Sequence, residues 1–502
     1  MCEQLFPEQP PPVGAEAAVW EWALIIPHNR INMNQSQKSR SPKTNQSILH
    51  ANDGGDSMKR ILLAVLLFGG WVQAQTGPIP ATFFGQTLIN PGSDYPNVAI
   101  GNMGKGSATG WPYIEPNAPV GGVHSYNWST LDSYVAQATI NHSAVFQYTW
   151  DEAPPWATGG SGCNGGSPNQ CTGIITDTAS LNAFIVALLT RYDGAHGHGL
   201  ISAWEINNEN DFLNITCSTN SGSAINSFAA QTDLMVKDVK AVRPNMLIVG
   251  PGFTSVETCY ASGQEFDGWW AAWGAIPGNS RHLDAVTFHG YVHTSEPYPE
   301  YVIGGPGTTE SPCNAGSAPC VKRAMARMGI PSTTPIWDTE GSWGLNSAVS
   351  LTSQQQVAFV GRFMLLNWAA GVARQNWYSW DNSQWGTACC AINANGVAYQ
   401  QVYNWMIGAT MSAPCAIQSS TVWTCMLTRS GGYQALAVWN TVGSSSYAVP
   451  AGYTDYKNLA GNQTSTTAGS VITIGIQPLL LEGAGATATA PSAPTGLTAT
   501  VN

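Results

Sequence analysis

Charge is scarce in this chain of 502 residues: only 10% are Asp, Glu, Lys or Arg, with 19 basic and 30 acidic side chains and a formal net charge of −11. No long Lys/Arg run occurs, which argues against a nucleic-acid partner or an anionic membrane surface. There is no C-x-x-C pair and no Cys/His spacing of the kind that holds zinc. His293 follows His289 by four residues, but that is helical spacing at a strand end and suits a metal badly. A metal-dependent lyase or deacetylase would need a His/Asp cluster, and none is found. No metal or cofactor is therefore expected. The run Ile61 to Phe68 is too short to span a bilayer comfortably. The segment Phe84-Gly-Gln-Thr87, in the first expected strand, is not the glycine-rich turn of a doubly wound nucleotide-binding sheet.

What the chain does have is glycine (53), tryptophan (20) and tyrosine (17), a composition suited to an extracellular protein that handles neutral polymers. Met58-Lys-Arg-Ile-Leu-Leu-Ala-Val-Leu-Leu-Phe68 has a basic start and a short apolar core, and Val72-Gln-Ala74 offers small residues for cleavage before Gln75. Residues 58–74 therefore read as a secretory signal, giving a secreted protein with no membrane association after cleavage. Signals begin at the initiator Met, so residues 1–57 read as an upstream extension of the frame, or else as a disordered tail. The 11 cysteines fit the same compartment. Cys163/Cys171, Cys313/Cys320 and Cys415/Cys425 each close a short loop, and Cys217/Cys259 could join two rim loops. Cys389 and Cys390 are adjacent, and their pairing stays open.

From Thr82 onward short apolar strands alternate with amphipathic helices. Strands are expected at Thr82–Ile89, Val98–Gly101, Ala144–Tyr148, Leu200–Ile206, Met246–Val249, Leu283–Phe288, Thr334–Asp338 and Ala373–Ser379. Helices are expected between them, including Ser129–Thr139, Ala179–Tyr192, Ala224–Val242 and Ser353–Ala370. In the second of these, Leu181, Phe184, Ile185, Leu188 and Leu189 share one face. Eight strand–helix repeats indicate a (β/α)8 barrel over residues 75–412, with its site at the strand C-termini. Short alternating runs then predict an antiparallel β-sandwich over 413–484. Residues 485–502 read as a linker and the truncated start of a fibronectin type III module. A monomer is expected.

Two strands end in a glutamate. Ser202-Ala-Trp-Glu-Ile-Asn-Asn-Glu-Asn210 places Asn208 directly before Glu209, and Pro335-Ile-Trp-Asp-Thr-Glu340 repeats the design far downstream. An acid at the tip of a buried strand faces a cavity rather than bulk water. Either alone could simply cap the following helix. Two on one rim are what acetal cleavage needs: a proton for the leaving oxygen and a carboxylate beneath the anomeric carbon. His289 and Tyr291, two apart, can both face the same pocket.

Trp204-Glu-Ile-Asn-Asn-Glu209, Phe288-His-Gly-Tyr291, Asp338-Thr-Glu340 and Trp377-Tyr-Ser-Trp380 together resemble the clan A retaining glycoside hydrolases, nearest to glycoside hydrolase family 39. The resemblance covers roughly Thr82 to Glu482. It implies Glu209 as acid/base and Glu340 as nucleophile, with Asn208 bonding the sugar 2-hydroxyl. It implies further that Tyr291 keeps the nucleophile ionised, that His289 contacts substrate or the acid/base, and that Trp380 is the sugar platform. The bland alternatives are a loop-capping Asn208 and a structural His289. Glu205, four residues before Glu209, is expected to brace the site by hydrogen bonds. Glu115 also matches the family pattern, at a loop and helix entry. Trp150, Trp156, Trp343 and Trp385 could line the cleft or pack in the core, while Trp269, Trp270 and Trp273 have helical spacing and belong in the core. One departure stands out. The family's Arg near the end of strand two is missing from Ile100-Gly-Asn-Met-Gly-Lys-Gly106, where Lys105 or Asn102 would have to substitute, without a guanidinium's planar fork. The expected activity is retaining hydrolysis of a β-linked glycan, with endo action favoured over an exo-acting enzyme such as a β-xylosidase. A non-catalytic glycan-binding barrel is the reading from a different class.

Overall fold

The computed structural model describes residues 77–89, 102–106, 108–140, 145–209, 222–253, 266–291, 298–300, 318–344, 349–382 and 393–483. The N-terminal extension, the signal, the C-terminal linker, Cys217, Cys259, Cys313, Cys389, Cys390, His293 and Trp385 lie outside the described residues.

Eight parallel strands close into a barrel in sequence order. They are β1 (Phe84–Leu88), β2 (Asn102–Gly106), β3 (Val145–Thr149), β4 (Ala203–Glu205), β5 (Leu247–Phe253), β6 (Ala285–His289), β7 (Ile336–Gly341) and β8 (Val372–Trp377). The longer helices are α1 (Ser129–Ile140), α2 (Thr178–Arg191), α3 (Gly222–Val242), α4 (Phe266–Ala275), α5 (Ala318–Met328), α6 (Ser353–Ala369) and α7 (Ala394–Met406). Helix starts follow local chemistry. Asp177 caps α2 through Ser180 N, and Thr352 and Gln355 form a reciprocal capping box on α6. The five apolar side chains expected on one face of α2 are all fully buried. Each contributes about 1.5–3 kcal/mol by burial. Trp269 and Trp273 on α4 are likewise core, and the half-buried Trp270 lies under the Arg281 guanidinium.

Several strands differ from the expected bounds: β4 is shorter at both ends, β5 runs on to Phe253, and β8 stops at Trp377 rather than Ser379. The expected strand Val98–Gly101 lies outside the described residues, which show β2 over Asn102–Gly106. β7 continues through Glu340 to Gly341, because those residues still pair with His289 on β6 and Trp377 on β8. The second glutamate therefore sits within a paired strand, its own backbone held by β6 and the next residue, Gly341, paired to β8.

Alternate side chains fill the barrel in layers. Ala203, Val249, Ala285 and Trp337 form an apolar layer, with the Arg374 guanidinium 4.0 Å from the Trp337 ring centre. Burial pulls Arg374 down to about 10. Glu205 belongs to a polar group that includes Gln147, Thr149 and Thr339.

Beyond α7 the chain forms β9 (Thr410–Ser419), β10 (Val422–Arg429), β11 (Tyr433–Asn440), β12 (Ser445–Ala448), β13 (Tyr453–Lys457), β14 (Gln463–Ser465), β15 (Val471–Ile474) and β16 (Leu479–Gly483). Six of these make an antiparallel sheet in the order β14-β13-β16-β11-β10-β9, and β12 pairs with β15. The Cys163–Cys171 and Cys415–Cys425 disulfides are present, the second joining β9 to β10. This layer packs closely on the barrel. A Cβ at Gly361 on α6 would lie 2.8 Å from Leu459 of the sandwich. Arg362 on α6 pairs with Glu300 at 3.1 Å, and the same carboxylate oxygen accepts from Trp439 Nε1 on β11 at 2.9 Å. All three side chains are buried.

Candidate active site

β4 ends at Glu205, and the next four residues carry the chain over the rim to Glu209. Glu209 has φ of +50°, a left-handed conformation that a non-glycine residue adopts only when its surroundings hold it there. Here its N–H donates to the Gly252 carbonyl at 3.0 Å. Gly252 must be glycine: its φ is +62°, and a Cβ would come within 2.5 Å of Asn207 O. Its own N–H donates to Thr287 Oγ1 at 2.7 Å. The first carboxyl is thus positioned through β5 and β6.

β6 delivers His289 at its last residue and Tyr291 just beyond. His289 Nδ1 lies 2.6 Å from Glu209 Oε1 and 3.6 Å from Glu340 Oε2. The Tyr291 hydroxyl donates to Glu340 Oε2 at 3.0 Å. One ligating atom each from Glu209, His289 and Glu340 lies within 4.8 Å of the others. The structure therefore brings together four residues drawn from strand ends far apart in sequence. The two carboxyls differ in access: the Glu209 side chain is 27% exposed, and that of Glu340 only 8%.

The imidazole is completely enclosed. Burial by itself would lower its pKa, but the Glu340 charge, the hydrogen bond to Glu209 and the Glu209 charge together raise it to about 10. Tyr291 is pushed well above its ordinary value, by burial first and then by the Glu340 charge. By proximity alone the Glu–His–Glu trio resembles a metal site. However, two ligands of one tetrahedral ion stay roughly 3.3 Å apart, so the 2.6 Å contact is that of a shared proton.

The neighbouring residues divide clearly. Glu205 is buried and accepts from Gln147 Nε2 at 2.8 Å, Thr149 Oγ1 at 2.8 Å and Thr339 Oγ1 at 2.7 Å. It ties β4 to β3 and β7 beneath the rim, a bracing role. Glu115, also buried, accepts from Trp111 Nε1 at 3.0 Å and meets His124 Nδ1 at 2.8 Å, holding the segment after β2 together. Asn208 is half-buried, and its Oδ1 has no hydrogen-bonding partner among the described residues. The side chains of Asn102 and Lys105 lie outside the described residues.

Among the tryptophans, Trp150 is buried, stacked near Trp204 at 6.0 Å and tilted against Trp111. Trp343 is fully buried against Phe359 and Trp377. Both rings are core in this structure. Trp156 keeps part of its surface open while packing edge-on to Trp111. Trp380 is also fully enclosed, which departs from its expected place as an open platform. β8 ends at Trp377, so strand alternation gives no guide to Trp380. The half-buried aromatic at this strand end is Tyr378, whose ring meets Tyr291 edge-on at 6.0 Å. Sequence reasoning passed over Tyr378, although it stands within the same Trp377-Tyr-Ser-Trp380 motif.

No protein-family model matches the chain, and no curated protein matches it. Solved structures do. A glucosidase from Croceicoccus marinus aligns with a TM-score of 0.53 at 12% identity, over 82% of this chain and 97% of that one. The chain has the fold of a glycoside hydrolase. A family 39 β-xylosidase from Caulobacter crescentus aligns with 0.53 at 12% identity, over 82% and 98%. A family 44 xyloglucanase from Paenibacillus polymyxa aligns with 0.51 at 11% identity, over 82% and 98%. At such identity the likeness is one of architecture: barrel and sandwich together account for nearly all of each of those enzymes.

Proposed function

We propose that this chain is a secreted, retaining glycoside hydrolase acting on a β-linked glycan. The observation that carries the reading is the pair Glu209 and Glu340, with carboxylate oxygens within 4.8 Å of each other, both within reach of His289 and with Tyr291 donating to Glu340. A carboxyl separation of roughly 5–5.5 Å suits direct attack and a covalent intermediate, whereas an inverting pair stands roughly 6.5–9.5 Å apart to admit water.

In the first step Glu209 gives its proton to the leaving glycosidic oxygen as Glu340 bonds to the anomeric carbon. In the second, Glu209 takes a proton from water, which displaces Glu340 with net retention. The Tyr291 hydroxyl holds Glu340 as a carboxylate aimed at carbon. Asn208 reaches the 2-hydroxyl, where hydrogen bonding strengthens as the ring becomes oxocarbenium-like. The Tyr378 ring takes the place assigned to Trp380 as the apolar platform, with Trp156 further out. The signal-like segment, the two disulfides, and the lack of any helix among the described residues long and apolar enough to cross a membrane fit secretion.

Endo action on a polysaccharide remains our preferred mode over an exo β-glycosidase. A purely glycan-binding barrel is the competing class, and it has no use for two carboxyls bridged by a buried histidine. Incubating the protein with β-glucans, xylans, mannans and galactans, sizing the products and following the anomer first formed by NMR tests all of this. Release of the β-anomer supports the reading, first release of the α-anomer overturns retention, and no cleavage of any glycan overturns hydrolysis.

A further inference from the structure

A third carboxyl lies next to this pair and has no part in the mechanism above. Asp338 stands on β7, two residues before Glu340, and is fully buried. Its Oδ1 accepts from Gly290 N–H at 2.9 Å, and the same N–H donates to the backbone carbonyl of Glu340 at 2.7 Å. Gly290 is the residue between His289 and Tyr291, so one bifurcated hydrogen bond joins their strand to Asp338 and to the peptide of Glu340. The carboxyl fills the space beside two glycines: a Cβ on Gly290 would lie 2.7 Å from Asp338 Cγ, and one on Gly341 would lie 2.9 Å from it. Side chains at these positions would expel it, which accounts for glycine on both strands. Asp338 Oδ2, in contrast, has no hydrogen-bonding partner among the described residues.

An ionised carboxylate with one oxygen buried and unpaired is costly, and more so beside a second carboxylate. The charged groups acting on Asp338 are His289, from β6, which favours its ionisation, and Glu340, from β7, which opposes it. β8 places the uncharged Gln375 opposite it in register. We infer that Asp338 is a positioning residue that works as a neutral carboxylic acid, fixing the Gly290 peptide and through it the reach of His289 and Tyr291 toward the two glutamates. Burial, the largest influence, together with the Glu340 charge raises its pKa to about 8, against the Gly290 hydrogen bond and the His289 charge. The acid form adds no second negative charge beside Glu340. This rests on the hydrolase reading for its catalytic consequence, but not for its ionisation.

The sign follows from linkage. A carboxyl whose pKa is raised on folding contributes full stability below about pH 4 and loses it as pH rises to about 8. Asp338→Asn preserves shape and neutrality at every pH, whereas Asp338→Ala removes the contact with Gly290. The melting temperature of the Asn variant minus that of the wild type should grow by on the order of 5 °C between pH 5 and pH 8. With the best cleaved glycan at pH 5.5, the Ala variant should lose at least about tenfold in kcat with little change in KM, and the Asn variant should recover to within about threefold of wild type. A melting difference that stays flat with pH overturns the neutral-acid assignment. An Asn variant as impaired as Ala, with both folded, overturns the positioning role. Should the Ala variant fail to fold, the Asn variant alone decides: near-native kcat supports the role, and a loss of tenfold or more overturns it. If the wild type cleaves nothing, the hydrolase reading fails, while the melting comparison still tests the ionisation of Asp338.

Discussion

His289 Nδ1 stands 2.6 Å from Glu209 Oε1, inside a site where the imidazole itself has no exposed surface. A ring so placed exchanges its Nδ1 proton chiefly with the carboxyl it touches. Burial opposes the charged ring, but the Glu340 charge and the hydrogen bond to Glu209 outweigh it and raise the His289 pKa from 6.5 to about 10, which favours a protonated imidazole beside the Glu340 carboxylate. Its raised pKa adds stability that is fully present below about pH 6.5 and lost as pH rises through about 10. In urea unfolding, the advantage of wild type over His289→Gln should therefore be larger at pH 6 than at pH 10. An advantage that does not change with pH would contradict the ion-pair picture.

Glu340→Gln should reduce turnover by about 10⁴-fold or more while leaving glycan affinity nearly intact, since the change removes the attacking charge and little volume. Turnover and calorimetric binding, measured side by side, test this. Undiminished hydrolysis would remove Glu340 from its assigned role.

Glu209→Ala should slow natural substrates strongly but permit rescue by azide on an activated aryl glycoside. The product would be a β-glycosyl azide, because the small anion reaches the glycosyl–enzyme through the space the carboxyl vacates. Failure of any rescue, in a variant that still forms the covalent intermediate, would argue against the acid/base role. The wild-type rate should trace a bell against pH on the acidic side, from one ionised and one protonated carboxyl.

Tyr291→Phe removes the 3.0 Å hydrogen bond to Glu340 Oε2 without opening a large cavity. A hydrogen bond to a charged group contributes about 1.5–3 kcal/mol, so kcat should fall by about ten- to hundredfold with a small effect on KM. An unchanged kcat would show that Tyr291 does not steady the nucleophile.

Glu300→Ala leaves the Arg362 guanidinium buried without its ion partner and Trp439 Nε1 without its acceptor. The expected destabilisation is about 3–5 kcal/mol in denaturant unfolding. Barrel and sandwich should lose structure in one transition, since the broken contact spans both. A separate early transition for the sandwich would contradict such tight coupling.

The parts of this molecule legible in the sequence were those written in local pattern. Glu209 and Glu340 each end a short apolar run, and the face of α2 follows from the spacing of Leu181, Phe184, Ile185, Leu188 and Leu189. His289 and Tyr291 show the alternation of a strand. What stayed hidden depends on contacts between distant segments. Tyr378, rather than Trp380, stands open at the end of β8 because the strand stops at Trp377, a boundary set by pairing with β1 and β7. Glu205 could be assigned to bracing, but its partners Gln147, Thr149 and Thr339 come from two other strands. Asp338 was visible only as part of the Asp338-Thr-Glu340 motif, with no role of its own, because its significance comes from a glycine 48 residues earlier.

The order of strands in the sandwich carries a consequence for synthesis. β16 lies between β13 and β11, at the heart of a sheet whose other five members precede it in the chain. During translation β9–β10–β11 and β13–β14 can each pair among themselves, but the two groups cannot be joined into one sheet until residues 479–483 have left the ribosome. Until then β11 and β13 each present an open edge, the kind of edge that pairs with other chains.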